Sequence, residues 1–332
     1  MLTPVRLLCC AVVTCSALHG GVVLAQVPST SSGQAFPTKP IRVINPAAPG
    51  GNSEVFFRLL APRMSETIGQ NFVMDYRPGA GGTVGGDVIA RSAPDGYTTG
   101  LVAASFVINP STYKKLPFDT ARDFSALGII VDVPSGLVIH PSMPVRNVKE
   151  LIALARKRPN EIFFSSSGRG GIGHLAGEML NAAAHIKLVH VPYKGAGPAL
   201  IDTLAGHVQM LFASMPLLFP HVKAGKLRMI AQTGETRSVS AKDIPTMQEA
   251  GVPGYVVRSM FGFVGPAGIQ RPVAEKLNRA LVAAIKDPAN NQTLISRGAD
   301  PIGSSIDEHA AAIKSEIAKW RKVAREAGIE PQ

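Results

Sequence analysis

Four segments place small residues next to hydroxyl or amide side chains, each between a β-branched run and a helical pattern. The first is Asn45-Pro46-Ala47-Ala48-Pro49-Gly50-Gly51-Asn52-Ser53-Glu54, and the second is Pro78-Gly79-Ala80-Gly81-Gly82-Thr83-Val84-Gly85. The third runs from Phe163 through Ser165-Ser166-Ser167-Gly168-Arg169-Gly170-Gly171 to His174. The fourth is His190-Val191-Pro192-Tyr193-Lys194-Gly195-Ala196-Gly197-Pro198-Ala199. Small side chains let backbone approach a ligand, and a helix that begins there presents free N–H groups and the positive end of its dipole. That is anion-binding chemistry. In the first segment Ser53 or Asn52 is positioned to cap the helix; an ordinary tight turn is the alternative at each place. Tyr193 and Lys194 face either the cleft or the solvated rim.

Gly168-x-Gly170-x-x-Gly173 also matches a dinucleotide fingerprint. That reading fails because the next apolar run, Leu188–Val191, leads into Pro192-Tyr193-Lys194 without the acidic residue that would hold a ribose. No Gly-x-Ser-x-Gly elbow, His-Glu-x-x-His pair or phosphate loop of the Gly-x-x-x-x-Gly-Lys-Ser/Thr type is present. The histidines lack ligand spacing, and His174 reads as packing or hydrogen-bonding at its helix start. Asp95, Asp119, Asp123 and Asp202 are isolated in sequence. No metal, no cofactor and no catalytic residue is expected, and an exported α/β enzyme is the weakest reading.

These segments need a scaffold, and strand, Gly/Pro-rich loop and helix alternate along the whole chain, predicting an α/β fold with largely parallel sheets. Strands are expected at Ile41–Asn45, Asn71–Tyr76 and Thr98–Ala104, and helices over 53–67, 83–91 and 148–158. Asn147-x-x-Glu150 and Ser305-x-x-Glu308 are capping-box patterns, and Gly328 should stop the last helix. Ile306, Ala310, Ile313, Ile317, Trp320 and Ala324 form that helix's core-packing stripe. A strand, proline turn and helix at Leu137–Arg158 is echoed at Phe261–Ile285, as expected where a chain crosses between two lobes. The division is 37–136 plus 260–332 for one lobe and 137–259 for the other, with a hinge and a cleft between them.

The 332 residues suffice for two such cores. Arg6, the apolar stretch from Leu7 and Val23-Leu24-Ala25 before Gln26 have the layout of a secretory signal over residues 1–25, cleaved near Ala25-Gln26. Residues 26–36 read as a flexible leader. Cys9, Cys10 and Cys15 all lie in the signal, so the mature chain would hold no disulfide or thiolate site. The net charge of +11 suits small anions. Nucleic acid is excluded as a partner because the basic residues are scattered, with Arg156-Lys157-Arg158 the longest run and no aromatic platform beside it.

Six blocks, taken in order, resemble the Bug family. They are Pro40-Ile41-Arg42 leading to Pro49-Gly50-Gly51, then Arg77-Pro78-Gly79-Ala80-Gly81-Gly82, then Pro94-Asp95-Gly96-Tyr97-Thr98. Ser166–Gly173 with His174-Leu175-Ala176-Gly177-Glu178, His190-Val191-Pro192-Tyr193-Lys194-Gly195 and Pro245-Thr246-x-x-Glu249-Ala250-Gly251 complete the set. The family's members are periplasmic substrate-binding proteins of tripartite tricarboxylate transporters, and the resemblance runs from about Phe36 to Trp320. It implies a type II periplasmic-binding-protein fold, two lobes with a hinge and interlobe cleft, closing on a small carboxylate or dicarboxylate. It implies a monomeric periplasmic protein whose partner is a set of membrane transporter subunits or, alternatively, a membrane sensor. Carried over by motif, Ala47, Gly51, Asn52 and Ser53 belong to the first ligand loop, and Gly82 and Thr83 to the second. Ser105 follows the strand after Tyr97; Ser166, Ser167, Gly171 and His174 match the serine-glycine loop, and Gly195 and Ala196 the Tyr-Lys-Gly loop. The chain departs from the family pattern at Glu54, where aspartate is frequent, and at Met260, where tryptophan is.

Overall fold

A computed structural model of the protein describes residues 36–331; the expected signal and all of the leader except Phe36 lie outside the described residues. Phe36 itself is packed, its ring edge-on to Tyr97 with centroids 5.0 Å apart. The chain then runs β1 (Ile41–Asn45), α1 (Asn52–Ile68), β2 (Phe72–Tyr76), α2 (Thr83–Ala90), β3 (Thr98–Val102), α3 (Ala104–Thr112) and β4 (Phe124–Ile139). It continues through α4 (Val148–Lys157), β5 (Phe163–Ser166), α5 (Ile172–Ala184), β6 (Val189–Pro192), α6 (Ala196–Leu204), β7 (Met210–Ser214), α7 (Met215–Lys223) and β8 (Arg228–Gln232). Last come β9 (Arg258–Pro266), α8 (Arg271–Lys286), α9 (Pro288–Ser296), the two-residue β10 (Asp300–Pro301) and α10 (Ile306–Glu326).

The strands lie in the order β2-β1-β3-β9-β4-β7-β5-β6, with β8 and β10 also on β4. At either end the sheet is parallel: β1 pairs in parallel with β2 and β3, and β5 with β6 and β7. The expectation of largely parallel sheets needs correcting in the middle, where β3–β9, β4–β9, β4–β7 and β4–β8 are antiparallel. The cause is β4, a 16-residue strand that carries the chain from one half to the other. It pairs with β9 as far as Pro134, then with β7 and β8 from Ser135 or Gly136 onward. Proline has no N–H to give a ladder, and here it stands where the partner changes.

Apolar side chains from both parallel ends are fully buried, among them Ile41, Ile44 and Leu101 at one and Phe164, Leu175 and Met210 at the other. Along α10 the predicted stripe is the buried one: Ile313, Ile317, Trp320 and Ala324 face the core. Its ends are as the sequence implies. Ser305 and Glu308 make the reciprocal capping box, and Gly328 turns left-handed after the last turn.

Candidate functional site

Within each parallel end the strands deliver their C-termini to one edge, so the helices that follow begin there, and the two ends run antiparallel to each other across β9 and β4. The residues immediately before α1, α2, α3, α5 and α6 are Gly51, Gly82, Ala103, Gly171 and Gly195, and none supplies a side-chain cap. Elsewhere the chain caps its helices: Asn147 accepts from the Glu150 N–H, Asp287 from those of Ala289 and Asn290, and Ser305 from that of Glu308. Two other uncapped helices, α7 and α8, carry proline in the first turn, which removes one free donor. The uncapped starts after β3, β5 and β6 therefore have no side-chain acceptor for their first-turn N–H groups.

A cleft of about 860 Å³ is lined by helix starts from both ends, those of α3 and α5. One wall is the face of α3 that carries Ser105, Ile108, Asn109 and Thr112, reached from Ala103 and Ala104. The facing wall is the loop Arg169-Gly170-Gly171 with Ile172 and His174 of α5. Ser259 of β9 and the segment 327–331 complete the lining. The walls come together at Gly170, where a Cβ would sit 3.3 Å from Thr112 Cγ2.

Behind the α5 wall three rings are stacked. His174 lies on His190 with centroids 3.8 Å apart, and His190 on Phe164 at 5.0 Å. The Gly170 N–H donates to His174 Nδ1 at 3.0 Å, and His190 Nε2 meets Ser166 Oγ at 2.7 Å. Burial, reinforced by the Arg169 charge, lowers the His174 pKa to about 4. Burial and then the neighbouring His174 and Arg169 lower His190 to about 3. Both imidazoles are neutral at neutral pH. With Nδ1 accepting, His174 carries its proton on Nε2, which lies 3.7 Å from Glu178 Oε1.

Of the residues expected to bind ligand, the structure brings Ser105, Gly171 and His174 onto this cleft. Gly82 is adjacent: a Cβ there would meet Pro46 Cβ at 3.5 Å and Ser105 Oγ at 3.8 Å. Asn52 lines a separate groove with Val55, Phe219 and Arg297. Gly195 and Ala196 begin α6, tied to the serine-glycine loop by the Gly195 N–H donating to the Ser167 carbonyl at 3.1 Å. Several hydroxyls are already engaged. Ser166 is buried against His190, and Thr83 Oγ1 donates to the Ala80 carbonyl at 3.0 Å. Neither Ser53 nor Asn52 caps α1; instead Asn45 Oδ1 accepts both the Ala47 N–H (3.1 Å) and the Ser53 hydroxyl (3.2 Å). Tyr193 turns from the cleft to Asp202, its hydroxyl donating to Oδ2 at 2.6 Å, so Asp202 is not isolated. Burial and that carboxylate push the Tyr193 pKa up to about 12.

Glu54 explains why the first loop stands apart. Its carboxylate accepts the Gly50 N–H at 2.6 Å, and the Tyr76 hydroxyl and Arg58 Nε at 2.5 Å each. Those bonds, the Tyr76 one foremost, hold its pKa below the usual glutamate value. The start of α1 thus already carries a fixed negative charge, while the starts of α3 and α5 carry none. Met260 is buried in β9 and does not line the cleft, whereas its neighbour Ser259 does.

Sequence reasoning missed α3 altogether. Ala103-Ala104-Ser105 is another run of small residues after a strand, the signal used elsewhere, but Pro110 in the last turn hides the helix. It also passed over Arg169 and Lys114, two cationic side chains on the cleft. Among the described residues no group of three His, Cys, Asp or Glu side chains is placed to hold a metal ion.

A family model described as the tripartite tricarboxylate transporter family receptor matches residues 56–329. Protein BugT of Bordetella pertussis is 32% identical over 311 residues, 93% of this chain and 95% of that protein. The R. palustris protein Rpa4515, solved with adipate, is 34% identical with a TM-score of 0.76, the match covering 90% of this chain and all of that one (100%). MatC of Rhodopseudomonas palustris, solved with bound malate, is 26% identical with a TM-score of 0.71, covering 87% of this chain and 99% of the other.

Proposed function

This chain belongs to the tripartite tricarboxylate transporter family of receptors, periplasmic two-lobed solute-binding proteins and not enzymes, and we propose that it captures a small carboxylate or dicarboxylate in the α3–α5 cleft and delivers it to a membrane transporter of that type. The observation that carries this reading is the asymmetry of the helix starts. Those at the cleft, of α3 and α5, follow alanine or glycine and have no side-chain cap; those of α4, α9 and α10 are capped by their own side chains. In this reading a carboxylate sits between the starts of α3 and α5, within reach of Ser105 and His174. Gly51, Gly82 and Gly195 shape the flanking loops, with Ala47, Asn52, Ser53, Thr83, Ser166, Ser167 and Ala196 supporting them. The lobes are 37–136 plus 260–332 and 137–259, and the chain crosses between them along β4 and β9.

The energetics are adequate. A helix start is worth roughly 0.3–1 kcal/mol to an exposed anion and up to about 2 kcal/mol when partly buried. Charge-assisted hydrogen bonds contribute about 1.5–3 kcal/mol each. Two starts and two or three such bonds reach micromolar binding, about 8 kcal/mol, after ordering costs. Bound adipate in one similar protein and malate in another support the ligand class. A thermal-shift screen over mono-, di- and tricarboxylates and amino acids tests it, because a ligand of the folded state raises Tm. The expected result is a shift with a carboxylate and none with its amide. Equal affinity of an acid and its amide in calorimetry would refute the reading.

A further inference from the structure

Past α10 the chain turns back toward the cleft. The Gly328 N–H donates to the Arg325 carbonyl (3.2 Å) and the Ile329 N–H to that of Ala324 (2.9 Å), a two-bond helix stop. Gly328 adopts φ +63°, which suits glycine and fixes the direction in which residues 329–331 leave the helix. Ile329 then packs, partly buried, on the core that contains Trp320 and Val323. Glu330 emerges on the cleft wall, in the same cavity as Lys114 beyond α3 and Arg169 ahead of α5. All three charged residues are exposed, and among the described residues none has an ion-pair or side-chain hydrogen-bond partner. Among the described residues the mouth thus holds two cations and one tethered carboxylate.

We propose that Glu330 is a specificity-determining residue, a built-in carboxylate that competes with the distal carboxylate of a ligand for Arg169 and Lys114. The inference rests on the reading that the helix starts hold one ligand carboxylate. A monocarboxylate fills those starts and leaves the mouth as it is. A dicarboxylate must bring its second charge to the two cations in the cavity that Glu330 also lines, so Glu330 penalises the dianion more than the monoanion. The glutamate is anchored through the glycine stop and Ile329, so the penalty is not avoided by the segment drifting away. At exposed sites one like charge is worth a few-fold in affinity, and salt screens it.

The test is calorimetry with hexanoate and adipate, equal in chain length and different in charge, on the full chain and its Glu330→Gln, Glu330→Lys and Arg169→Gln variants. Glu330→Gln should tighten adipate about three- to fivefold, with hexanoate changing less than about twofold; Glu330→Lys should do more. Arg169→Gln should weaken adipate selectively, and all these differences should shrink in roughly 0.5 M salt. Because Glu330 is exposed, its variants should keep the parent Tm. If both acids bind and their affinity ratio is the same in the parent and in both Glu330 variants, the role of Glu330 is overturned and the cleft reading stands. If neither acid binds any variant, the carboxylate reading fails and this inference with it.

Discussion

A methyl group at Gly177 would lie 2.1 Å from Phe164 Cε2, inside the fully buried ring on which His190 stacks. Gly177→Ala therefore has to displace Phe164, and with it the His190–His174 stack behind the cleft. Overpacking of this kind costs roughly 1–3 kcal/mol. The urea midpoint should fall while the m-value holds, and carboxylate affinity should weaken because His174 loses its support. A variant as stable as the parent would show that the stack yields freely. At this scale the sequence was legible in type and not in partnership. Ser166 and His174 could be named from their motif. That the Ser166 hydroxyl is committed to His190, 24 residues away, depends on β5 lying beside β6 in register, which no local pattern encodes. Glu54 was visible as a departure, but its consequence, a start of α1 already neutralised, needs the approach of Tyr76 from β2.

Helix starts can be rewritten one at a time, which separates a ligand site from an ordinary cap. Gly171 has φ −75° and ψ 163°, a conformation that aspartate adopts readily, and a Cβ there would be no closer than 3.4 Å to its neighbours. Gly171→Asp should cap α5 with its own carboxylate, leaving Tm equal or higher, while carboxylate affinity falls at least about tenfold through competition and repulsion. Asn147→Ala should do the opposite: about 1 kcal/mol lost in stability as the Glu150 N–H loses its acceptor, and no change in ligand affinity. Equal effects of the two substitutions on binding would sink the helix-start mechanism. Elements with a strong cap and a clear stripe, such as α4 and α10, were legible almost to their ends. Those shaped by tertiary pairing were not. The run from Leu137 is the tail of a strand that begins at Phe124, because Gly128 and Pro134 break the local strand pattern while β9 enforces it.

Over the whole molecule the alternation of strand and helix made an α/β fold legible, but not that its centre is antiparallel, since pairing of β4 with β9 joins residues more than a hundred positions apart. The same long-range closure buries a histidine that the sequence leaves unremarkable. His309, near the start of α10, accepts the Gly128 N–H from β4 at 3.1 Å, its Nε2 is buried without a partner, and Gly262 of β9 presses against it. Burial lowers its pKa to about 4, as it lowers that of His174. A histidine whose folded pKa lies below its unfolded value takes its proton first in the unfolded chain. Stability is therefore full above about pH 6.5, falls as pH drops toward 4, and stops falling from this source once the folded protein also protonates. Each such histidine contributes up to about 1.4 kcal/mol per pH unit across that window. Urea titrations between pH 7 and pH 4.5 should show this decline, beginning well above the range where carboxylates titrate. His309→Asn, which keeps an acceptor for Gly128 but cannot be protonated there, should be less stable at pH 7 and flatter with pH. A parallel pH profile for the two proteins would mean that His309 titrates as an ordinary exposed imidazole, and that the joint between α10 and the crossing strands is open to water.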